Sequence, residues 1–181
     1  PVLGLIEQAQ LQAKSLPASA AAVSHKLNQL GINADKPLAV IHPGAGKAYK
    51  LWPISHWQQL ISQLAQQGFE VLVIGAGVDR EQVDAIFADG NLSAVNGYQQ
   101  FNLIETIHLG FVARCMIGND SGPTHLMATT PTQVFSLFGP TDHSLWSPMS
   151  ANSHIMHSGV SCLPSCTKSQ CQRAVSCLEA L

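Results

Sequence analysis

Between residues 38 and 138, short and nearly unbroken apolar runs alternate with longer stretches in which apolar residues recur every three or four positions. The runs at 38–41, 71–74, 115–117 and 133–138 have the length and apolar, partly β-branched content of strands covered on both faces. Between them, Ile54, Trp57, Leu60, Ile61 and Leu64 repeat at helical spacing until Gly68 stops them. Val83, Ile86 and Phe87 suit a helix after Asp79, Leu103, Ile107 and Phe111 another, and 123–129 a short one. A weaker strand is expected at 92–95. Residues 1–36 are rich in Ala, Gln and Leu, and Pro17 reads as a break between two helices, so this stretch looks like a helical connector. Strand and helix in alternation make βαβ units and a Rossmann-like, doubly wound parallel sheet of the α/β class. Ligands of such sheets bind beyond the carboxyl ends of the strands, which places the chemistry in the loops after Ile41, Ile74, Ile117 and Phe138.

A chain of 181 residues that is 46% hydrophobic and 11% charged is too apolar to be disordered, and no apolar run approaches the ~18 residues of a membrane span. The formal charge of −2 offers no footprint for nucleic acid or an anionic membrane surface, so an anionic ligand must be held locally. No basic segment followed by an apolar one opens the sequence, so no secretory signal is read, and Pro1 suggests a cut chain. With Cys115 alone in an apolar run and the other four cysteines at the end, a reducing compartment is expected.

The glycine loops miss the familiar phosphate signatures. Gly44-Ala45-Gly46 and Gly75-Ala76-Gly77 both fail G-x-G-x-x-G, because Tyr49 and Arg80 stand where the last glycine belongs. Gly46-Lys47 fails as a P-loop, since Ile41 and Ala48 occupy the other required positions. No H-E-x-x-H or G-x-S-x-G occurs. What remains is Gly118-Asn119-Asp120-Ser121-Gly122-Pro123-Thr124-His125, directly after a strand. Its Gly, Ser and Pro can leave backbone N–H groups free at a helix start, Asp120 can accept from sugar hydroxyls, and His125 can meet a phosphate. Capping of the helix by Ser121 or Asp120 explains the same residues without a ligand. The loop at 42–53 brings Lys47 and Lys50 beside Gly44, Ala45 and Gly46, either as charge for a diphosphate or as a solvated loop. Asp79 and Glu81 could each serve a ribose or cap the following helix. The fourth loop, Phe138-Gly139-Pro140-Thr141-Asp142, is by itself an ordinary turn.

Taken in order, His42-Pro43-Gly44-Ala45, Lys50-Leu51-Trp52-Pro53, the 118–125 segment and Phe138-Gly139-Pro140-Thr141 resemble the donor-binding half of glycosyltransferase family 9, the ADP-heptose:lipopolysaccharide heptosyltransferases. The resemblance covers about residues 37–181. It implies the C-terminal half of a GT-B enzyme, with a connector at 1–36, a nucleotide-sugar-binding domain at 37–160 and a cysteine-rich segment at 161–181. By the same resemblance Lys50 would contact the phosphate or ribose region of ADP-heptose, and Asp120 the sugar hydroxyls. The backbone around Ser121, Gly122 and Pro123 would hold the diphosphate, with His125 supporting the loop. Either Asp79 or Glu81 would hold the ribose. Some members carry threonines where this chain has Ala45 and Gly46, so hydroxyl contacts there would be missing. The catalytic base would come from an N-terminal half that the chain lacks, so no catalytic residue is expected here and the chain should bind donor without turning it over. The implied partners are the nucleotide sugar and, through the absent half, a lipopolysaccharide core acceptor. The implied location is the cytoplasm at the inner face of the inner membrane, with peripheral membrane association. No cofactor or divalent metal is expected. A non-catalytic nucleotide-binding or interaction module, and a GT-B enzyme using another nucleotide sugar, are the competing readings.

Cys162, Cys166, Cys171 and Cys177 could in principle form a zinc site, but their spacing lacks C-x2-C knuckles, so reduced cysteines or adventitious disulfides rank ahead of metal. Trp52, Trp57 and Trp146 are expected to be packing residues rather than a sugar platform.

Overall fold

The structure is a computed structural model that describes residues 12–160, 171 and 176–181. Six strands form one parallel sheet: β1 (Leu38–His42), β2 (Glu70–Gly75), β3 (Val95–Tyr98), β4 (Cys115–Asn119), β5 (Gln133–Leu137) and β6 (Ser153–Met156). Their order is β3-β2-β1-β4-β5-β6, so the winding reverses between β1 and β4. That is the dinucleotide-fold order, with its ligand crevice at the reversal. The helices are α1 (Pro17–Gln29), α2 (Ile54–Gln66), α3 (Arg80–Phe87), α4 (Leu103–Val112), α5 (Gly122–Met127) and α6 (His143–Trp146).

Side chains alternate across each strand, and both faces are covered. Leu38, Val40, Leu72 and Met116 face one core with Val23 of α1, Leu109 of α4 and Met127 of α5. Ala39, Ile41, Val71, Val73 and Ile117 face the other with Trp57 and Ile61 of α2 and Val83 and Ile86 of α3. The central strands therefore read as continuous apolar runs, because neither face is left for water.

Pro17 sits in the first turn of α1, where its missing N–H costs nothing. The stretch expected to be a connector is packed into the domain, since Val23 and Ile32 are buried in the first core. Lys26 of α1 also pairs with Glu105 of α4 at 2.7 Å. The Leu16 N–H donates to Nε2 of His108 at 2.7 Å, and the Ala13 N–H to the Thr129 carbonyl. A helix before Pro17 would lie largely in residues 1–11, outside the described residues.

Two expectations need correction. The strand placed at 92–95 is shifted to Val95–Tyr98, where pairing with Leu72–Gly75 of β2 decides its position. Trp146 does not pack in a core: it is 61% exposed, with Leu145 and Met149 exposed beside it. Trp57 is fully buried, as expected. Helix α6 and strand β6 carry too short and too mixed a pattern to be read in advance.

Candidate functional site

Because β1 and β4 are adjacent and parallel, with His42 opposite Gly118, their following loops emerge side by side at the carboxyl edge of the sheet. Asn119, fully buried at the end of β4, ties them together. Its Nδ2 donates to the Pro43 carbonyl at 2.7 Å, and its Oδ1 accepts from the Trp52 N–H at 3.3 Å. One side chain thus clamps both ends of the lysine-bearing loop. A single 3₁₀ turn, Ala48–Lys50, then presents Lys50 inward.

Lys50 Nζ donates to Oδ2 of Asp120 at 2.6 Å, and His125 Nε2 lies 3.4 Å from Oδ1 of the same carboxylate. Two side-chain nitrogens, one from the segment after β1 and one from α5, converge on one carboxylate that is only 6% exposed. Burial alone would push the Asp120 carboxyl up; hydrogen bonds from His125 and Lys50 outweigh it and hold the group below the ordinary carboxylate range. Lys47 is exposed at the start of the same turn.

Capping accounts for neither residue of the 118–125 segment. No side chain caps α5. Ser121 Oγ instead contacts His42 Nδ1 at 3.0 Å and Thr124 Oγ1 at 3.1 Å, while the Asp120 N–H donates to the Leu137 carbonyl. Gly122 is exposed, and Pro123 occupies the first turn. Nothing crowds a Cβ placed on Gly46 or Gly122, whereas one on Gly44 would fall on the Asp79 carboxylate.

The two acidic candidates for a ribose are separated by the fold. Asp79 points into the protein: its Oδ2 lies 3.3 Å from His42 Nε2 and accepts the Ala76 N–H at 2.9 Å. Glu81, in the first turn of α3, is exposed with no side-chain partner among the described residues. Gly44, Ala45, Gly46 and Lys50 lie in the segment after β1, and Asp120, Ser121, Gly122, Pro123 and His125 in the turn after β4 and the start of α5. Asp79 joins them from beneath, and Glu81 stands off at the β2 loop. Asp142 in the fourth loop caps α6 by accepting from the Ser144 N–H at 2.9 Å. The reading of residues missed His42, Asn119 and Thr124 as site residues. His42 and Asn119 stand at visible strand ends and Thr124 in the helix start that follows, but a buried polar side chain that links loops has no spacing signature.

Burial also pushes the Asp79 and Glu105 carboxyls up, but bonds from His42 and Ala76, and from Lys26 and Asn102, hold both below the ordinary range. Their contribution to stability, like that of Asp120, is present above the unfolded value near ~4 and is lost as pH falls through the folded value. Asp120→Asn should therefore differ most from the parent in melting temperature above about pH 5, and the gap should narrow as pH falls below about 4. Thermal melts across that range check it.

Among the described residues no three His, Cys, Asp or Glu side chains group to hold a metal ion. Cys162 and Cys166 lie outside the described residues, so the four-cysteine zinc site cannot be placed. Cys171 is exposed, and Cys115 is a buried strand residue whose thiol burial pushes up to about 11. No described helix is long and apolar enough to cross a membrane.

Comparison with known proteins agrees with this fold. The protein-family model of glycosyltransferase family 9 (heptosyltransferase) matches residues 5–175. Lipopolysaccharide heptosyltransferase 3 of Escherichia coli K12 is 33% identical over 130 residues, which are 70% of this chain and 37% of that protein. Lipopolysaccharide heptosyltransferase 2 of the same strain is 28% identical over 144 residues, 74% of this chain and 40% of that protein. The chain thus spans about 40% of the length of these relatives. A glycosyltransferase family 9 structure from Veillonella parvula superposes with a TM-score of 0.76 at 18% identity, covering 81% of this chain and 42% of that one. The E. coli heptosyltransferase WaaC, solved with ADP, superposes with a TM-score of 0.59 at 25% identity, covering 74% of this chain and 41% of that one. The chain belongs to glycosyltransferase family 9, the heptosyltransferases.

Proposed function

We propose that this chain is the donor-binding half of an inverting heptosyltransferase of lipopolysaccharide core synthesis, and that the β1–β4 rim holds ADP-heptose. The observation that carries the reading is the Lys50–Asp120 pair at the point where the sheet reverses. A buried carboxylate that can accept from sugar hydroxyls and an ammonium that can meet a diphosphate stand 2.6 Å apart, from loops 70 residues apart in sequence. A superposable relative solved with ADP supports the choice of nucleotide.

The two groups satisfy one another. On binding, the diphosphate takes the place of the carboxylate at Lys50, and Asp120 turns to hydroxyls of the sugar while His125 keeps its other oxygen in place. Free N–H groups of Ser121 and Gly122 add dipoles aimed at the phosphates, and Glu81 rather than the inward-facing Asp79 supplies the ribose contact. In transfer, the acceptor hydroxyl attacks the anomeric carbon as the bond to the diphosphate breaks. Lys50 and the loop amides then stabilise charge that grows on the leaving ADP. The base that receives the acceptor proton belongs to the acceptor-binding half, outside this chain. The whole enzyme works on the cytoplasmic face of the inner membrane, and the transfer uses no cofactor or metal.

Calorimetric titration tests the reading. ADP-heptose and ADP should bind, and UDP-sugars should bind at least tenfold more weakly. Preference for UDP-sugars would assign the site to another nucleotide sugar, and no binding of any of them would leave an interaction module.

A further inference from the structure

Beneath the rim lies a buried chain of polar contacts to which the transfer reaction assigns no work. Asp79 Oδ2 is 3.3 Å from His42 Nε2; His42 Nδ1 is 3.0 Å from Ser121 Oγ; Ser121 Oγ is 3.1 Å from Thr124 Oγ1; and Thr124 Oγ1 donates to the Asn119 carbonyl at 2.8 Å. It joins the loops after β1, β2 and β4. His42, Asp79 and Thr124 are all buried, and Ser121 is the member that reaches the rim beside Asp120.

We infer that His42 and Asp79 are positioning residues for Ser121: they hold its hydroxyl hydrogen inward, so that its oxygen meets the bound molecule as an acceptor. Counting hydrogens gives the direction. The Asp79 carboxylate has none to offer, so a ring hydrogen of His42 sits on Nε2. The single hydrogen of Thr124 goes to the Asn119 carbonyl, which likewise has none. The Ser121 hydrogen then has two inward acceptors, His42 Nδ1 at 3.0 Å or, where Nδ1 itself carries a hydrogen, Thr124 Oγ1 at 3.1 Å, and it points inward in both cases. What Ser121 Oγ presents outward is a lone pair, which suits a hydroxyl of the sugar or ribose and disfavours a phosphate oxygen. The side chain at this position thus selects for the sugar part of the ligand while the neighbouring backbone faces the phosphates. This rests on the nucleotide-sugar reading above.

The test uses ADP-heptose and inorganic pyrophosphate as probes, titrated into the chain and its variants with melting temperatures recorded. Ser121→Ala should weaken ADP-heptose about fivefold, the worth of one hydrogen bond, and leave pyrophosphate unchanged. An equal loss for pyrophosphate would show Ser121 donating to phosphate and would overturn the inference. His42→Asn sets an amide where Nδ1 lies and should keep most of the ADP-heptose affinity; His42→Gln sets it where Nε2 lies and should bind like Ser121→Ala. A ring that merely fills space would favour the larger Gln, so Gln equal to or better than Asn in affinity overturns the positioning role. If either His42 variant fails to fold, the Ser121→Ala pair of titrations decides alone. A parent chain that binds neither probe removes the nucleotide-sugar reading itself and this inference with it, an outcome distinct from binding with the wrong variant pattern.

Discussion

Gly44→Ala should cost about 2–3 kcal/mol of stability, lower the melting temperature by roughly 5–10 °C, and weaken ADP-heptose binding in the fraction that stays folded. Gly44 has no unusual backbone angle, so the effect is steric. A methyl group there would land on Oδ1 and Cγ of Asp79 and 2.9 Å from its Cβ. The carboxylate cannot swing aside cheaply, because it is short, buried and held by both His42 and the Ala76 N–H. The loop or the Asp79–His42 bond must give way, and either movement reaches Ser121. Gly46→Ala is the matching control: two residues on, nothing lies within 4 Å of the new methyl, and stability should hold or rise by a few tenths of a kcal/mol. Asp79→Ala should relieve the clash but remove the carboxylate, so the double variant should be less unstable than the sum of the singles. Melts of the four variants check this, and simple additivity would mean that Gly44 and Asp79 do not meet as described.

Asp120→Asn and Lys50→Met should each weaken ADP-heptose by about 100-fold, because each removes a charged partner of the ligand rather than a neutral one. Their effects on the free protein should differ. Lys50→Met leaves Asp120 buried with only His125, so stability should fall by about 1–3 kcal/mol. Asp120→Asn leaves Lys50 with its side chain 22% exposed, able to turn to water, and should cost less. In the double variant the affinity loss should be well short of the product of the singles, as for two groups that serve one ligand. A single variant with parental affinity and normal melting would remove that residue from the site.

How far the sequence carried depends on what each element buries. β1, β2 and β4 were legible because both faces are covered and all but one end position of each strand is apolar or small. β3, Val95–Tyr98, was not, since Asn96 and Gly97 break the run. Gly97 is there because a Cβ would press within 2.8 Å of Leu72, a packing demand that only the neighbouring strand reveals. β6 is an edge strand with half-exposed alternation, and the four-residue α6 rests on a cap at Asp142 rather than on any apolar period. At the site, motifs located the loops, but the pairing of Lys50 with Asp120 shows only once β1 and β4 lie side by side. Nor could the sequence choose between Asp79 and Glu81. Two residues apart across the junction of a 3₁₀ turn and a helix, they face opposite ways, one into the protein and one to water. Trp146 was misjudged because an aromatic outside any apolar period gives no sign of what covers it.

The most direct measurement is amide chemical-shift mapping of the isotopically labelled chain during titration with ADP-heptose. Perturbations should concentrate at Ala45, Lys50, Ser121, Gly122 and His125, the carboxyl edge of β1 and β4, and should fade in Lys50→Met. Shifts confined to the opposite edge, around the open cleft lined by Lys36, Phe69 and Asn91, would contradict the placement of the donor at the rim.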